Sequence, residues 1–222
     1  MRLAVPGLFR LIYEAAREIK PNAVLEICPC GATYSFFHLP YKNQPVSSDP
    51  ESSFQVRLKG KTLKALMGPS APYYGDHVEL SDGGEDFASS VGVGAVIGTK
   101  FTWPPGAAAK DRNDLTPERE KAWKKWFEIY TEKMLPKGLY RGELYDLGFD
   151  RPETHAIEKD GRLYYAFYAD TWSGPVELRG LEEGSYKVID YVHDTEVGTV
   201  TGPTARLDVD FEGSLLVEAI PE

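Results

Sequence analysis

One pattern recurs about three times in the first 135 residues: a short apolar run, a loop of polar and small residues, then a segment at helical spacing. AVLEIC (23–28) and GAVIGTKFTW (94–103) are apolar without alternation, the signature of strands covered on both faces. YYGDHVEL (73–80) is a short strand running into the Gly-rich SDGG. Leu8, Leu11, Ile12, Ala15, Ala16 and Ile19 predict a helix over 6–20 that Pro21-Asn22 stops. A second helix is expected over Ser52–Met67, basic on its exposed side through Arg57, Lys59, Lys61 and Lys64 and ended near Gly68-Pro69. EDFASSV (85–91) supports one or two further turns. Asp114 or Thr116 can cap a last helix that has Pro117 at its first position and runs to about Leu135. Its stripe of Trp123, Trp126, Phe127, Tyr130 and Met134 is expected to pack on a sheet.

Strand, loop and helix in repetition build a parallel α/β sheet or barrel. A complete eight-unit barrel takes about 250 residues, so residues 1–145 are expected to be the C-terminal part of a (β/α)8 TIM barrel, its last three or so units. From about Arg151 the texture changes to alternating runs such as RLYYAFYA, GSYKVIDYV and TARLDVDF. Lys159-Asp160-Gly161, Glu182-Glu183-Gly184 and Glu212-Gly213 separate these runs at hairpin intervals. Residues 146–222 are therefore expected to form a small antiparallel β-sandwich, which makes the fold class α/β plus all-β.

A net charge of -9 without a Lys/Arg block argues against a clustered basic face for phosphates, so no nucleic-acid partner is expected. The N-terminal segment acquires Glu14, Arg17, Glu18 and Lys20 on a helical repeat, unlike a signal peptide, and no run is long and apolar enough to predict a membrane partner. The two cysteines, Cys28 and Cys30, stand at C-P-C spacing, too close for an easy intrachain disulfide, and read as free thiols.

Ligand sites of parallel α/β folds lie beyond the C-terminal ends of the strands. The first end offers Glu26, Cys28, Cys30 and Gly31 with a long loop to Asp49. The second offers Tyr74, Asp76, His77, Glu79 and Asp82, and the third Lys100, Thr102 and Trp103. Aromatics interleaved with carboxylates suit a sugar, whose ring face stacks while its hydroxyls meet charged acceptors. Asp49 before Pro50 fits a helix cap by residue type and a proton donor by position. Glu26, inside an apolar strand, reads as a hydrogen-bonded structural group. Asp76-His77-Val78-Glu79 contains metal-ligand types, but His38, His155 and His193 supply no paired motif, so no metal is expected. A nucleophilic thiol would need His38 to fold back to the cysteines. The G-x-G of SSVGVGAVIG precedes a strand where a dinucleotide site would follow one, and no cofactor is expected.

LEICPCG and, further on, SSDPESSFQVRLKGK resemble, in order and spacing, two motifs of the alpha-galactosidase clan, glycoside hydrolase family 36 above all. One is an E-x-C-x-G-G-G strand end and the other an S-D motif ahead of a basic helix. GDHVELSDGG sits where the family has an S-H-V motif. VIGTKFTW and LTPEREKAWKKWFEIYTEKM sit where it has the last barrel strand and a T-x-E-E-K helix. The resemblance implies a retaining glycosidase acting on terminal alpha-linked galactose or a similar sugar, with Asp49 as general acid/base. Cys28, Cys30, Gly31, Asp76, His77, Lys100 and Trp103 would contact the substrate. C-P-C-G departs from the family's glycine run. The family nucleophile, an aspartate after a K-x-D motif on an earlier strand, has no counterpart here, so the chain is expected to be truncated, incompetent alone and prone to self-association through exposed barrel edges. The competing expectation is a non-catalytic carbohydrate-binding or interaction module that uses Tyr164, Tyr165, Tyr168 and Trp172.

Overall fold

The computed structural model describes residues 4–28, 36–78, 86–99 and 116–222. Four helices fall near their expected places. Helix α1 spans Ala4–Ile19, and α2 spans Ser53–Met67, where the Ser52 hydroxyl accepts the Gln55 N–H and the Gly68 N–H returns to the Lys64 carbonyl. Helix α3 (Phe87–Gly92) is capped by Asp86, and α4 (Pro117–Lys133) is capped by Thr116 with proline in its first turn. The aromatic stripe of α4 packs as expected: Trp123 is buried, and Trp126, Phe127 and Tyr130 lie against the same apolar cluster.

Four parallel segments follow one another in sequence order. Strand β1 (Glu26–Ile27) pairs with β2 (Gln44–Pro45), a single bridge joins Val46 to Tyr74, and β3 (Tyr74–His77) pairs with β4 (Val96–Gly98). Strand β2 lies within the stretch that the sequence reads as one long loop from β1 to Asp49. Asn43 sets it in register by accepting the Leu25 N–H at 2.7 Å and donating to the Ala23 carbonyl at 2.9 Å. Val56, Leu63, Tyr73, Val93 and Ala95 form the core between this layer and α2.

Two expectations for this layer fail. AVLEIC is not covered on both faces: Val24 is 66% exposed, and Glu26 is exposed, accepting a hydrogen bond from Gln44 Nε2 at 2.8 Å. The basic side of α2 is not exposed either. Arg57 Nε and Nη2 grip both oxygens of Glu153 at 2.7 and 3.0 Å, Lys61 donates to the Gly142 and Tyr145 carbonyls, and Lys64 is buried with its ammonium on the Ala71 carbonyl. Desolvation brings the Lys64 ammonium down to about 8.

The remainder is one six-stranded antiparallel sheet in the order β5-β6-β7-β10-β8-β9. Its strands are β5 (Leu139–Tyr140), β6 (Glu153–Lys159), β7 (Arg162–Leu178), β8 (Ser185–Asp190), β9 (Thr195–Thr201) and β10 (Ala205–Pro221). Asp160 and Gly161, both at positive φ, close the tight β6–β7 hairpin between paired Lys159 and Arg162. Period-two alternation divides β7: Tyr164, Ala166 and Tyr168 join Phe87, Val91 and Trp123 beneath the helices, while Tyr165 and Phe167 face a second cluster with Val176, Val188, Val200 and Val209. Both faces of this stretch are covered. Tyr164, Tyr165 and Tyr168 are therefore core residues, at 5%, 0% and 6% exposure, and the surface platform they would have made does not exist.

Gly92 marks how closely the helical layer meets the sheet: a Cβ there would lie 2.0 Å from the Tyr168 hydroxyl oxygen. That hydroxyl donates to the Ala88 carbonyl at 2.8 Å, and the Arg57 guanidinium lies 4.1 Å from the centre of the Tyr168 ring. Among the described residues, no helix is long and apolar enough to cross a membrane.

Candidate active site

The ends of β1, β2 and β3 converge on one small cluster. Cys28 follows β1, Ser48 and Asp49 follow β2 and its extension through Val46, and Asp76 and His77 close β3. The Cys28 thiol, exposed and not in a disulfide, donates to the Ser48 hydroxyl at 3.7 Å. Asp76 is 6% exposed; one of its carboxylate oxygens accepts the Asp49 N–H at 2.7 Å and the other the His77 N–H at 2.8 Å. Lys59, one turn into α2, donates to the Ser48 carbonyl at 3.0 Å, and the Tyr74 hydroxyl meets His77 Nδ1 at 3.1 Å.

Asp49 itself is exposed, on a backbone held against preference. Ser48, Asp49 and Asp76 have φ of 59°, 45° and 73°, half of the six non-glycine residues with positive φ among those described. Aspartate tolerates this region better than most side chains, yet backbone strain of this kind persists only where the surroundings over-determine it. Here the surroundings are identifiable: a buried carboxylate and a lysine ammonium, each holding one backbone atom of the loop.

Of the eight residues expected at the site, Asp49, Cys28, Asp76 and His77 are brought together. Cys30, Gly31, Lys100 and Trp103 lie outside the described residues, as do Tyr34, Glu79, Asp82 and Thr102. The helix-cap reading of Asp49 is replaced, since Ser52 caps α2. His38 packs edge-on against Phe9 of α1 at 4.8 Å. Phe36 and Phe37 are 71% and 72% exposed. Ser48 and Lys59 were missed. The signal for Lys59 was its spacing of ten residues after a strained aspartate, which is legible only once α2 is seen to fold back on the strand ends.

A buried polar network fixes α2 behind this cluster. Arg57 joins Glu153 to Ser89, whose hydroxyl donates to Asp86, and Glu153 also meets His155 Nε2 at 2.9 Å. Burial alone would raise the Glu153 carboxyl; hydrogen bonds from His155 and Arg57, with the Arg57 charge, hold it down at about 2. Desolvation lowers the fully buried His155, so its imidazole is neutral, with Nε2–H donating to Glu153 and Nδ1 accepting from the Tyr140 hydroxyl at 2.6 Å. Every member of the network has a partner of the right kind.

No protein-family model matches the chain. The A type blood alpha-D-galactosamine galactosaminidase of Flavonifractor plautii is 35% identical over 221 residues, which cover 96% of this chain and 19% of that protein. The chain thus spans about a fifth of the length of the curated relative that it matches. Among solved structures, a proposed alpha-galactosidase of Bacteroides fragilis superposes over 99% of this chain and 52% of its own, with a TM-score of 0.58 at 10% identity. The alpha-amylase of Geobacillus thermoleovorans does so over 98% and 57%, with a TM-score of 0.57 at 12% identity. The resemblance to alpha-galactosidase-like glycosidases that the motifs suggested is thereby carried by a galactosaminidase in sequence and by glycoside hydrolases in fold, over nearly all of this chain.

Proposed function

We propose that these residues form the C-terminal part of a (β/α)8 barrel and its closing β-sandwich, in a retaining alpha-galactosidase-like glycosidase. Its substrate is a terminal alpha-linked galactose or galactosamine, and Asp49 is the proton donor. The supporting observation is the convergence of Cys28, Asp49, Asp76 and His77 at one end of sequentially ordered parallel strands, the end where sites of such folds lie. A retaining glycosidase sets two carboxyl groups about 5–5.5 Å apart, one to attack the anomeric carbon and one to protonate the departing oxygen. Asp49, exposed at the strand end on a braced backbone, suits the second task. Asp76 does not suit the first, because both of its oxygens are spent on backbone N–H groups. Among the described residues the nucleophile has no candidate, and in this reading it comes from an earlier strand of the same barrel.

Substrate contacts from Cys28, Cys30, Gly31, Asp76, His77, Lys100 and Trp103 belong to the same proposal, as does a domain division near residue 145. Titration of the ¹⁵N-labelled chain with galactose and galactosamine tests the half-site. The amides of Cys28, Asp49 and His77 are expected to shift together and saturate in the millimolar range. Absence of any shift at these three positions would remove the site.

A further inference from the structure

Strand β7 carries one residue more than β10 needs. Glu212 pairs with Thr171 and Gly213 with Ala169, so Asp170 is an extra residue, and it is exposed. A bulge re-aims side chains and bends the strand, and here it opens a cavity of 580 Å³ between the sheet and the starts of α2 and α3. Trp172, two residues on, lines this cavity and also a second one of 540 Å³; Arg151 is likewise shared by both. The two cavities make one groove across the half-buried Trp172 indole, whose N–H is anchored on the Gly174 carbonyl at 3.3 Å.

The groove is polar but electrically balanced. On its first floor Arg57 is paired with Glu153, and in the second cavity Arg206 is paired with Glu177 at 2.7 Å. A phosphorylated ligand would require an excess of positive charge, and an apolar one would leave these ions dry and unpaid. A neutral ligand with many hydroxyls and a flat apolar face satisfies both the carboxylates and the indole. Phe149, 88% exposed, also lines the second cavity and offers another apolar face. Cavities of a few hundred Å³ are the size of ordinary ligand sites, and two that share Trp172 and Arg151 exceed what one sugar ring fills.

We propose that this groove is an oligosaccharide-binding site, with Trp172 as the stacking platform and Arg151 and Asp170 as partners for hydroxyls. Cys28, Asp49, Asp76 and His77 do not line it, so it is separate from the strand-end cluster and needs no catalytic role for Asp49.

Titration with stachyose, an alpha-galactosyl tetrasaccharide, followed by ¹H–¹⁵N spectra of the whole chain, tests the proposal. The Trp172 indole and the Arg151 and Asp170 amides are expected to shift saturably. Trp172→Ala, and the double surface variant Arg151→Ala with Asp170→Ala, should each weaken binding at least tenfold, while Asp49→Asn leaves the Trp172 shift in place. The double variant replaces only exposed residues and keeps the test valid if Trp172→Ala fails to fold. Three results would overturn the proposal: no shift at Trp172, wild-type affinity in the double variant, or loss of the Trp172 shift in Asp49→Asn.

Discussion

The carboxylate of Asp76 accepts the backbone N–H of Asp49 at 2.7 Å, tying the end of one parallel strand to the loop beyond its neighbour. Both residues hold left-handed backbone, so the contact fixes a conformation that the chain would not keep unaided.

Asp76→Ala should therefore destabilise the chain by about 2 kcal/mol, since it strands two N–H groups and puts alanine at a φ it disfavours. Asp76→Asn keeps one acceptor oxygen and should lose about half as much. Urea unfolding of the three proteins measures this. Equal midpoints would mean that the Asp49 and His77 amides reach water instead.

Breaking the Arg57–Glu153 pair should cost more. Glu153→Gln leaves a buried guanidinium with its charge uncompensated, a loss of about 3 kcal/mol. Replacing both residues by methionine should recover much of that loss, which a double-mutant cycle in chemical unfolding would detect.

Stability should fall as the solution is acidified. The Glu153 carboxyl is held at about 2, below its ordinary 4.5, so the unfolded chain protonates first. Its contribution is complete above about pH 4.5 and disappears as pH falls towards 2. His155 acts in the same direction from about pH 6.5 downward, because the unfolded imidazole takes up a proton that the buried one refuses. Unfolding free energies at pH 7, 5 and 3 should decline in that order, and His155→Gln should flatten the upper part of the slope. A stability independent of pH over this range would contradict the burial of the network.

Gly92→Ala should separate α3 from β7. The added methyl would collide with the Tyr168 hydroxyl and with Ala166, an overpacking cost of about 1–3 kcal/mol. If thermal unfolding is unchanged, the helical layer does not dock on the sheet as closely as described.

Leu8, Leu11 and Ile12 on α1, Val24 ahead of β1, and Phe36 and Phe37 in the turn that packs on α1 are all exposed apolar side chains. The proposed barrel would cover these side chains with its earlier units. The chain by itself is then expected to associate with rising concentration, and Leu8→Lys with Leu11→Lys should raise the monomer fraction in sedimentation velocity. A monomer at all concentrations would count against an uncovered face.

Helix ends and the change to antiparallel texture were legible because they are local. Thr116 is a cap, Asp160-Gly161 is a hairpin turn, and the alternation in β7 assigns its aromatics to two faces, whereas the cap of α2 is Ser52 and not the Asp49 that residue type suggested. What the residues concealed depends on distant partners. Arg57 looks like a solvated charge until Glu153, 96 positions away, is placed against it. Strand β2 is two residues long and contains proline, so its pairing with β1 has no periodic signal. AVLEIC has the composition of a buried strand, yet the cover that composition anticipates is not among the described residues. Asp49 is singled out by its place after a strand and by resemblance, and its bracing by Asp76 and Lys59 is legible in neither.

The central claim is that these residues carry the acid but not the nucleophile of a glycosidase. Release of nitrophenol from nitrophenyl alpha-galactoside and nitrophenyl alpha-galactosaminide, measured for the purified chain and for Asp49→Asn, tests it most directly. The account predicts no release above buffer from either protein. Turnover by the chain that Asp49→Asn abolishes would contradict it, because both catalytic carboxylates would then lie within these 222 residues.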